Sequence, residues 1–449
     1  MSDRPFGEGE SSPEEWLRDA LKRMLGGDGS FNSEDLARLA GMDMRPEELQ
    51  ALLGQFSTMF QAHPEQAESQ ARQHALRIAG EGQTEVTPQR ARELTERIRL
   101  ASLWIGEVTA IAPSDLPPLL LRRSDWATAT LPVWWEMTAP IAQAISRVVA
   151  KLMTDQSLDD ETRSILGQAH TFLTGMTETM FRLQLAQVVG TLAKEVLSGG
   201  DVGIPLLTAE ASADVRAGLV PQNMDAFASG LDIPFDQADT YLAVRELAHQ
   251  RLFRHAKWLR PHVLSLVSDF ARGIHIDTEQ IRDLAEGIDP SDPDSITSLL
   301  TSGQLLPRRT EEQERALERL ETMLALIEGW VDYVTGQATQ RLPLRDNLAE
   351  AIRRRRATGG PAEQAFKTLV GLELRPRRLR EASELWREVT DAVGAEARDD
   401  VWTHPDHLPV ETDLDDPSAY VLRVSNPDTS AEVEAFLEDL FGTEPPETE

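Results

Sequence analysis

The sequence predicts a mainly α-helical protein with a few short β segments. Three observations carry that class. Apolar residues recur at three- and four-residue spacing through long stretches between about 87 and 393, the period of a helix with one buried face. Ser12-Pro13 and Thr87-Pro88 are cap-and-proline helix starts. Only near residues 204–221 does the pattern become short apolar runs bounded by Gly, Pro and Asp, which read as one or two short strands or as loops. At 449 residues the chain exceeds one simple core, so two or three units are expected.

In chain order, residues 1–85 read as an accessory, loosely attached helical region with short helices near 12–25, 33–39 and 46–62. Residues 86–200 read as a helical domain. Its first helix runs from Pro88 to about Ala112, and its second starts at Ser124 and carries Trp126, Trp134 and Trp135. Those tryptophans suit either a packed core or a ligand platform, and the large area they bury favours the core. A third helical pattern over 157–198 has Met176, Met180, Phe181, Leu185 and Val189 as its inner stripe. The apolar runs at Ile204–Leu207 and Ala217–Pro221 are candidates to pair with an extended peptide. Residues 201–398 form a helical core, with a central helix at 235–255 and further helices at 261–274, 278–287, 293–302, 310–338, 343–357 and 376–393. Residues 399–449 read as an irregular acidic tail. Its last 39 residues hold twelve acidic side chains against one basic, and a short amphipathic helix spans 431–441.

Composition narrows the function. A formal charge of −30 argues against general binding to nucleic acid or anionic lipid, which needs clustered Lys and Arg. The run Arg353–Arg356 reads as the solvated face of a helix. No stretch of about 20 apolar residues occurs, and Met1–Pro5 lacks a basic segment followed by an apolar one, so neither a membrane span nor a secretory signal is expected. The absence of cysteine removes disulfides, thiolate metal sites and thiol nucleophiles, and is compatible with the cytoplasm.

One stretch of the central helix carries chemistry. In Val244-Arg245-Glu246-Leu247-Ala248-His249, Glu246 and His249 stand three apart. A zinc-protease helix has two histidines at i and i+4, on one face and reaching one metal, and the Glu after the first acts as general base on metal-bound water. Arg245 occupies the first histidine's position, and a guanidinium offers no lone pair.

The surrounding segments His249-Gln250-Arg251-Leu252-Phe253, Trp258-Leu259-Arg260-Pro261-His262, Leu326-Ile327-Glu328-Gly329-Trp330-Val331-Asp332 and Phe366–Arg378 resemble an actinobacterial zincin-like family. Its members are labelled hydrolases or zinc-dependent metalloproteases, and a sister branch is linked to biosynthesis of a deazaflavin coenzyme. The resemblance spans roughly residues 90–410. It implies a zincin-like core within 201–398, a zinc cofactor and a peptide or protein substrate. It also implies Glu246 as general base, with His249 and Glu328 as second and third zinc ligands. Arg245 and Trp330 depart from the sister branch, which has histidine at both positions.

Three readings follow. In one the metal site is vestigial, Arg245 pairs with Glu246 or Glu328 in place of the metal charge, and the fold binds a peptide or partner protein. In another, zinc is held by His249, Glu328 and a substitute such as His255. Six residues of helix rotate about 600°, which sets the two rings about 120° apart and makes a poor geometry. In the third the site works without metal, but no nucleophile–base pattern supports it. Around the centre, Asp332 is a candidate to orient His249 and Tyr333 a candidate to stabilise an oxyanion. His262 and His275 read as ordinary surface or core histidines.

Overall fold

The computed structural model describes residues 64–153, 178–204, 206–207, 215–273, 310–359, 367, 369–372 and 375–426. The helices expected within 1–62 and at 278–287, 293–302 and 431–441 lie outside these residues, as does His275. By backbone proximity the chain divides into two compact units. One comprises Met1–Gln70, Ile141–Leu183 and Ile274–Arg308, and its described residues are helical. The other comprises Ala71–Pro140, Gln184–Gly273 and Arg309–Glu449, and it contains every residue of the candidate site.

The described elements are helices joined by one minimal sheet. Helix α1 spans Pro64–Ala79, α2 Pro88–Gly106, and α3 Arg123–Met153, with helical residues 178–192 as α4. Next come α5 (Pro221–Gly230), α6 (Phe235–His255), α7 (Leu259–Arg272), α8 (Glu311–Ala338), α9 (Arg345–Thr358), α10 (Leu379–Asp400) and α11 (Pro417–Ser425). Strands β1 (Leu119–Leu120) and β2 (Gly218–Leu219) pair in parallel, Leu119 opposite Gly218. No strand is expected at β1 from the sequence. Its pairing partner lies about a hundred residues on, so nothing local marks it. Ile204, Leu206 and Leu207 are not in a strand, although Leu207 accepts a backbone bond from Arg216. The outer edge of β2 is also occupied, by Gly199 and Leu197, so β2 has no free edge for an added peptide strand.

Local chemistry explains the helix ends that position the site. Thr87 caps α2 by accepting from the Arg90 amide, as the sequence predicts. The helix stops at Gly106 instead of Ala112, because the Asp399 carboxylate captures the Thr109 hydroxyl at 2.5 Å and the Ala110 amide at 2.8 Å. Thr310 and Gln313 form a reciprocal capping box at the start of α8. Helix α7 begins two residues before Pro261, since a first turn needs no N–H from its third residue. Helix α10 kinks at Gly394 (φ 84°) and resumes to Asp400, so the helical part outlasts the expected end at 393.

Helix α6 is the axis of the second unit. It packs against α2, α5, α8 and α9, and every residue from Ala238 to Phe253 is buried. A helix enclosed on all sides normally has an apolar sequence. This one carries seven polar residues in that span, and each must find a partner. Asp239 takes Arg90 through two bonds of 2.5 and 2.7 Å, Gln250 reaches the Val215 carbonyl, and Arg251 reaches the carbonyls of Ile111 and Ser102. Helix α8, continuously buried from Met323 to Asp332, lies between α6, α7 and α10. Trp126 and Trp134 are enclosed in the core and Trp135 is half-buried, so the tryptophans form no open platform. Phe181, Leu185 and Val189 are buried as expected, but Met180 is 43% exposed and leaves the inner stripe.

Candidate functional site

Arg245 and His249 stand one helical turn apart on α6, so their side chains share the face turned to α8. There Glu328, 0% exposed, receives both. The Arg245 guanidinium donates to Glu328 Oε2 in a short ion pair. His249 Nε2 lies 3.0 Å from Glu328 Oε1, and its Nδ1 lies 3.1 Å from the backbone carbonyl of Arg245. Both partners are acceptors, so both contacts are hydrogen bonds together only when each ring nitrogen carries a proton. Arg356, from the last turn of α9, stands 3.7 Å from the same Oε1.

Glu246, one residue after Arg245, faces the segment before β2. Its Oε1 accepts from the Gly218 amide and its Oε2 from the Gly200 amide, both at 2.9 Å. The backbone comes this close because residue 200 has no side chain. A Cβ there would sit 2.9 Å from His249 Cγ and 3.1 Å from Glu246 Oε2. Gly203, with φ +82°, lies over the other side of the centre, where a Cβ would stand 2.9 Å from Arg356 Nη2 and 3.1 Å from Glu328 Oε1. The chain's own backbone is thus laid against His249, Glu246, Arg356 and Glu328.

The electrostatics follow from burial and pairing. Burial alone would raise the Glu328 pKa, but Arg245, then Arg356, then His249 outweigh it and hold the carboxyl well below the usual range. Burial alone would lower the Arg245 pKa, and Glu328 more than offsets it, so the guanidinium stays charged. Burial raises the Glu246 pKa, opposed by His249, the Gly218 and Gly200 amides and the Ser198 side chain.

These residues do not fit a zinc ion. The two retained donors keep near-ligand spacing: two atoms on a tetrahedral zinc at about 2.0–2.1 Å lie about 3.3 Å apart, against 3.0 Å between His249 Nε2 and Glu328 Oε1. The third position is filled by a guanidinium that has no lone pair and already holds Glu328 Oε2. Both oxygens of Glu246 are taken by backbone donors. Among the described residues, no group of three His, Asp or Glu side chains is arranged to hold a metal.

The remaining sequence-predicted residues lie elsewhere. His255 is exposed at the end of α6, which stays helical through that residue and turns the ring away from His249. Asp332 does not orient His249. It binds Arg353 through bonds of 3.2 and 2.7 Å and accepts from Ser383 at 2.9 Å. Trp330, two residues after Glu328 and so on another face of α8, donates from Nε1 to Asp399 at 3.0 Å. Tyr333 lies under the Arg398 guanidinium, 5.6 Å from the ring centre, in that same Asp399 cluster. His262 is half-buried against Trp258, and burial, then Arg319, lowers its pKa.

The arginine run is where the sequence reading most needs correction. Three of its four members turn inward. Arg353 pairs with Asp332, Arg355 with Asp201 at 2.5 Å, and Arg356 is 5% exposed beside Glu328, while Arg354 alone meets the solvated-face expectation. Four consecutive arginines cannot share one face of a helix, and that was the available signal. Gly200, Gly203 and Gly218 carried none beyond being glycines.

Comparison with known proteins places this geometry. Residues 65–421 match the model of a family described as zincin-like metallopeptidase. Among solved structures, the chain is similar to a Chloroflexus aurantiacus protein described as a "putative hydrolase with a novel fold", with a TM-score of 0.55 and 17% identity over 79% of this chain and 97% of that one. At that identity the likeness concerns the fold alone. No functionally curated protein matches.

Proposed function

Since the chain belongs to the zincin-like metallopeptidase family, we propose that it is a metal-free member, which binds a peptide or partner protein instead of cleaving one. The observation that carries this reading is the Arg245–Glu328 ion pair, completed by His249 on the other carboxylate oxygen. A fixed guanidinium supplies the positive charge that the ligand carboxylate would otherwise take from a metal. Unlike a metal, it neither polarises a carbonyl as a Lewis acid nor generates hydroxide from water. Glu246, the general base of the family resemblance, is held between two amides and serves as an anchor for the backbone at Gly200 and Gly218. A cytoplasmic location belongs to the same proposal and is compatible with the lack of cysteine.

A second reading, a zinc hydrolase built on His249 and Glu328, is favoured by the 3.0 Å spacing of those two donors and by the family's description as zincin-like metallopeptidase. Metal analysis decides between the two. The full chain is equilibrated with excess zinc, desalted and measured for bound metal, and peptide hydrolysis is assayed with and without chelator. The metal-free reading expects sub-stoichiometric zinc and no chelator-sensitive hydrolysis. One zinc per chain, lost on His249→Ala, would overturn it.

A further inference from the structure

Of the four arginines gathered at the centre, three have a carboxylate of their own. Arg245 has Glu328, Arg353 has Asp332 and Arg355 has Asp201. Arg356 has none. Among the described residues its one close ion-pair contact is Glu328 Oε1 at 3.7 Å, and that oxygen already faces His249. Asp201 acts on Arg356 only at longer range, and its own pair is Arg355. Although Arg356 is buried, its Nε and Nη2 meet no acceptor. Nη1 of Arg245 is buried and unpartnered too, as is the hydroxyl of Tyr241 one turn before it on α6. Buried charged donors of this kind are normally satisfied, because desolvating them without a partner is costly. Among the described residues, Arg356 thus lacks a counterion of its own, and its Nε and Nη2 are both free.

We propose that Arg356 is the core of a binding site for a small oxyanion, a phosphate or carboxylate group, held on its free Nε–Nη2 edge. The chemistry suits that class. The Nε–Nη2 edge of Arg356 is a flat N–H fork that matches oxyanion geometry, and charge-assisted bonds of this type are the strong ones. The anion supplies the counterion that Arg356 lacks, and its oxygens take the free donors without displacing Glu328 from Arg245 or His249. The proposal rests on the metal-free reading, since a zinc ion and an oxyanion would compete for the same carboxylate surroundings.

The test is titration calorimetry on the full chain with inorganic phosphate and, separately, acetate, at fixed ionic strength in a chloride background. Saturable one-to-one binding of either anion is expected, and which one binds distinguishes a phosphate group from a carboxylate. Arg356→Met is expected to weaken that binding roughly tenfold or more. Arg354→Met, which removes an exposed arginine paired with Glu350, leaves it unchanged. Should Arg356→Met fail to fold, Arg356→Lys keeps the charge, loses the fork and is expected to weaken binding several-fold. Absence of saturable binding of both anions to the wild type overturns the proposal, as does an Arg356 variant that binds as tightly as wild type. Zinc content is measured on the same sample. Bound zinc refutes the metal-free premise, whereas zinc-free protein that ignores both anions refutes only the oxyanion site.

Discussion

Arg245→His restores the two-histidine helix and asks how much of the metal geometry survives around it. The substitution removes the ion pair to a fully buried carboxylate. Breaking such a pair costs about 3–5 kcal/mol, and the low end applies because Arg356 and His249 remain beside Glu328. The unit that holds the site has about 300 residues. At roughly 2.1 cal/mol/K per residue its unfolding entropy is about 0.6 kcal/mol/K, so the metal-free variant is expected to melt about 5 °C below wild type. Zinc should then reverse the loss. His249 Nε2 and Glu328 Oε1 already stand 3.0 Å apart, within a few tenths of an ångström of the ligand edge. Zinc at one hundred times its dissociation constant returns about 2.7 kcal/mol, or roughly 4 °C. The assay is a thermal melt of both proteins in chelator and across a zinc series, with bound metal counted after desalting. A rise confined to the variant is the expected result. If zinc fails to raise the variant's Tm, the position of the third ligand has been lost. If it raises the wild type equally, Arg245 is not the residue that bars the metal.

Further substitutions test the surrounding network. Glu328→Gln leaves Arg245 without its carboxylate and should destabilise the protein by about 3–5 kcal/mol at pH 7 in urea unfolding. Because the folded Glu328 pKa is depressed below 4.5, the wild type's advantage is complete above that value and shrinks as pH falls further. A gap that stays constant down to acid pH would refute the pairing as its source. Gly203→Ala places a Cβ 2.9 Å from Arg356 Nη2 at a positive φ, and a loss of about 1–3 kcal/mol is expected by denaturant titration. Trp330→Phe removes one donor from the buried Asp399 carboxylate and should cost about 1–3 kcal/mol. It should leave the zinc response of the Arg245→His variant intact, since Trp330 lies away from the centre. His255→Ala should change stability by less than about 0.5 kcal/mol and leave metal content unchanged; any loss of bound metal would return His255 to the site.

The sequence by itself determined the helical class, the extent of α6 from Phe235 to His255 and the span of α8 at 310–338. Its motif spacing also singled out Arg245, Glu246 and His249, while Glu328 came from the family resemblance alone. These spans and spacings were legible because helical periodicity is local, and because the i, i+4 relation of Arg245 and His249 fixes a shared face before any packing is known. The divergence of His255 followed from the same rotation.

Tertiary structure decided what each residue does there. Glu246 is defined by two amides from a segment about 46 and 28 residues away in sequence, and Asp332 by an arginine on another helix. The arginines of α9 look like a solvated run in the sequence, yet two find carboxylates on separate elements and Arg356 finds a crowded one. A charged side chain's role depends on its counterion and on its burial. Both are properties of the assembled packing around α6 and α8, which no local pattern encodes.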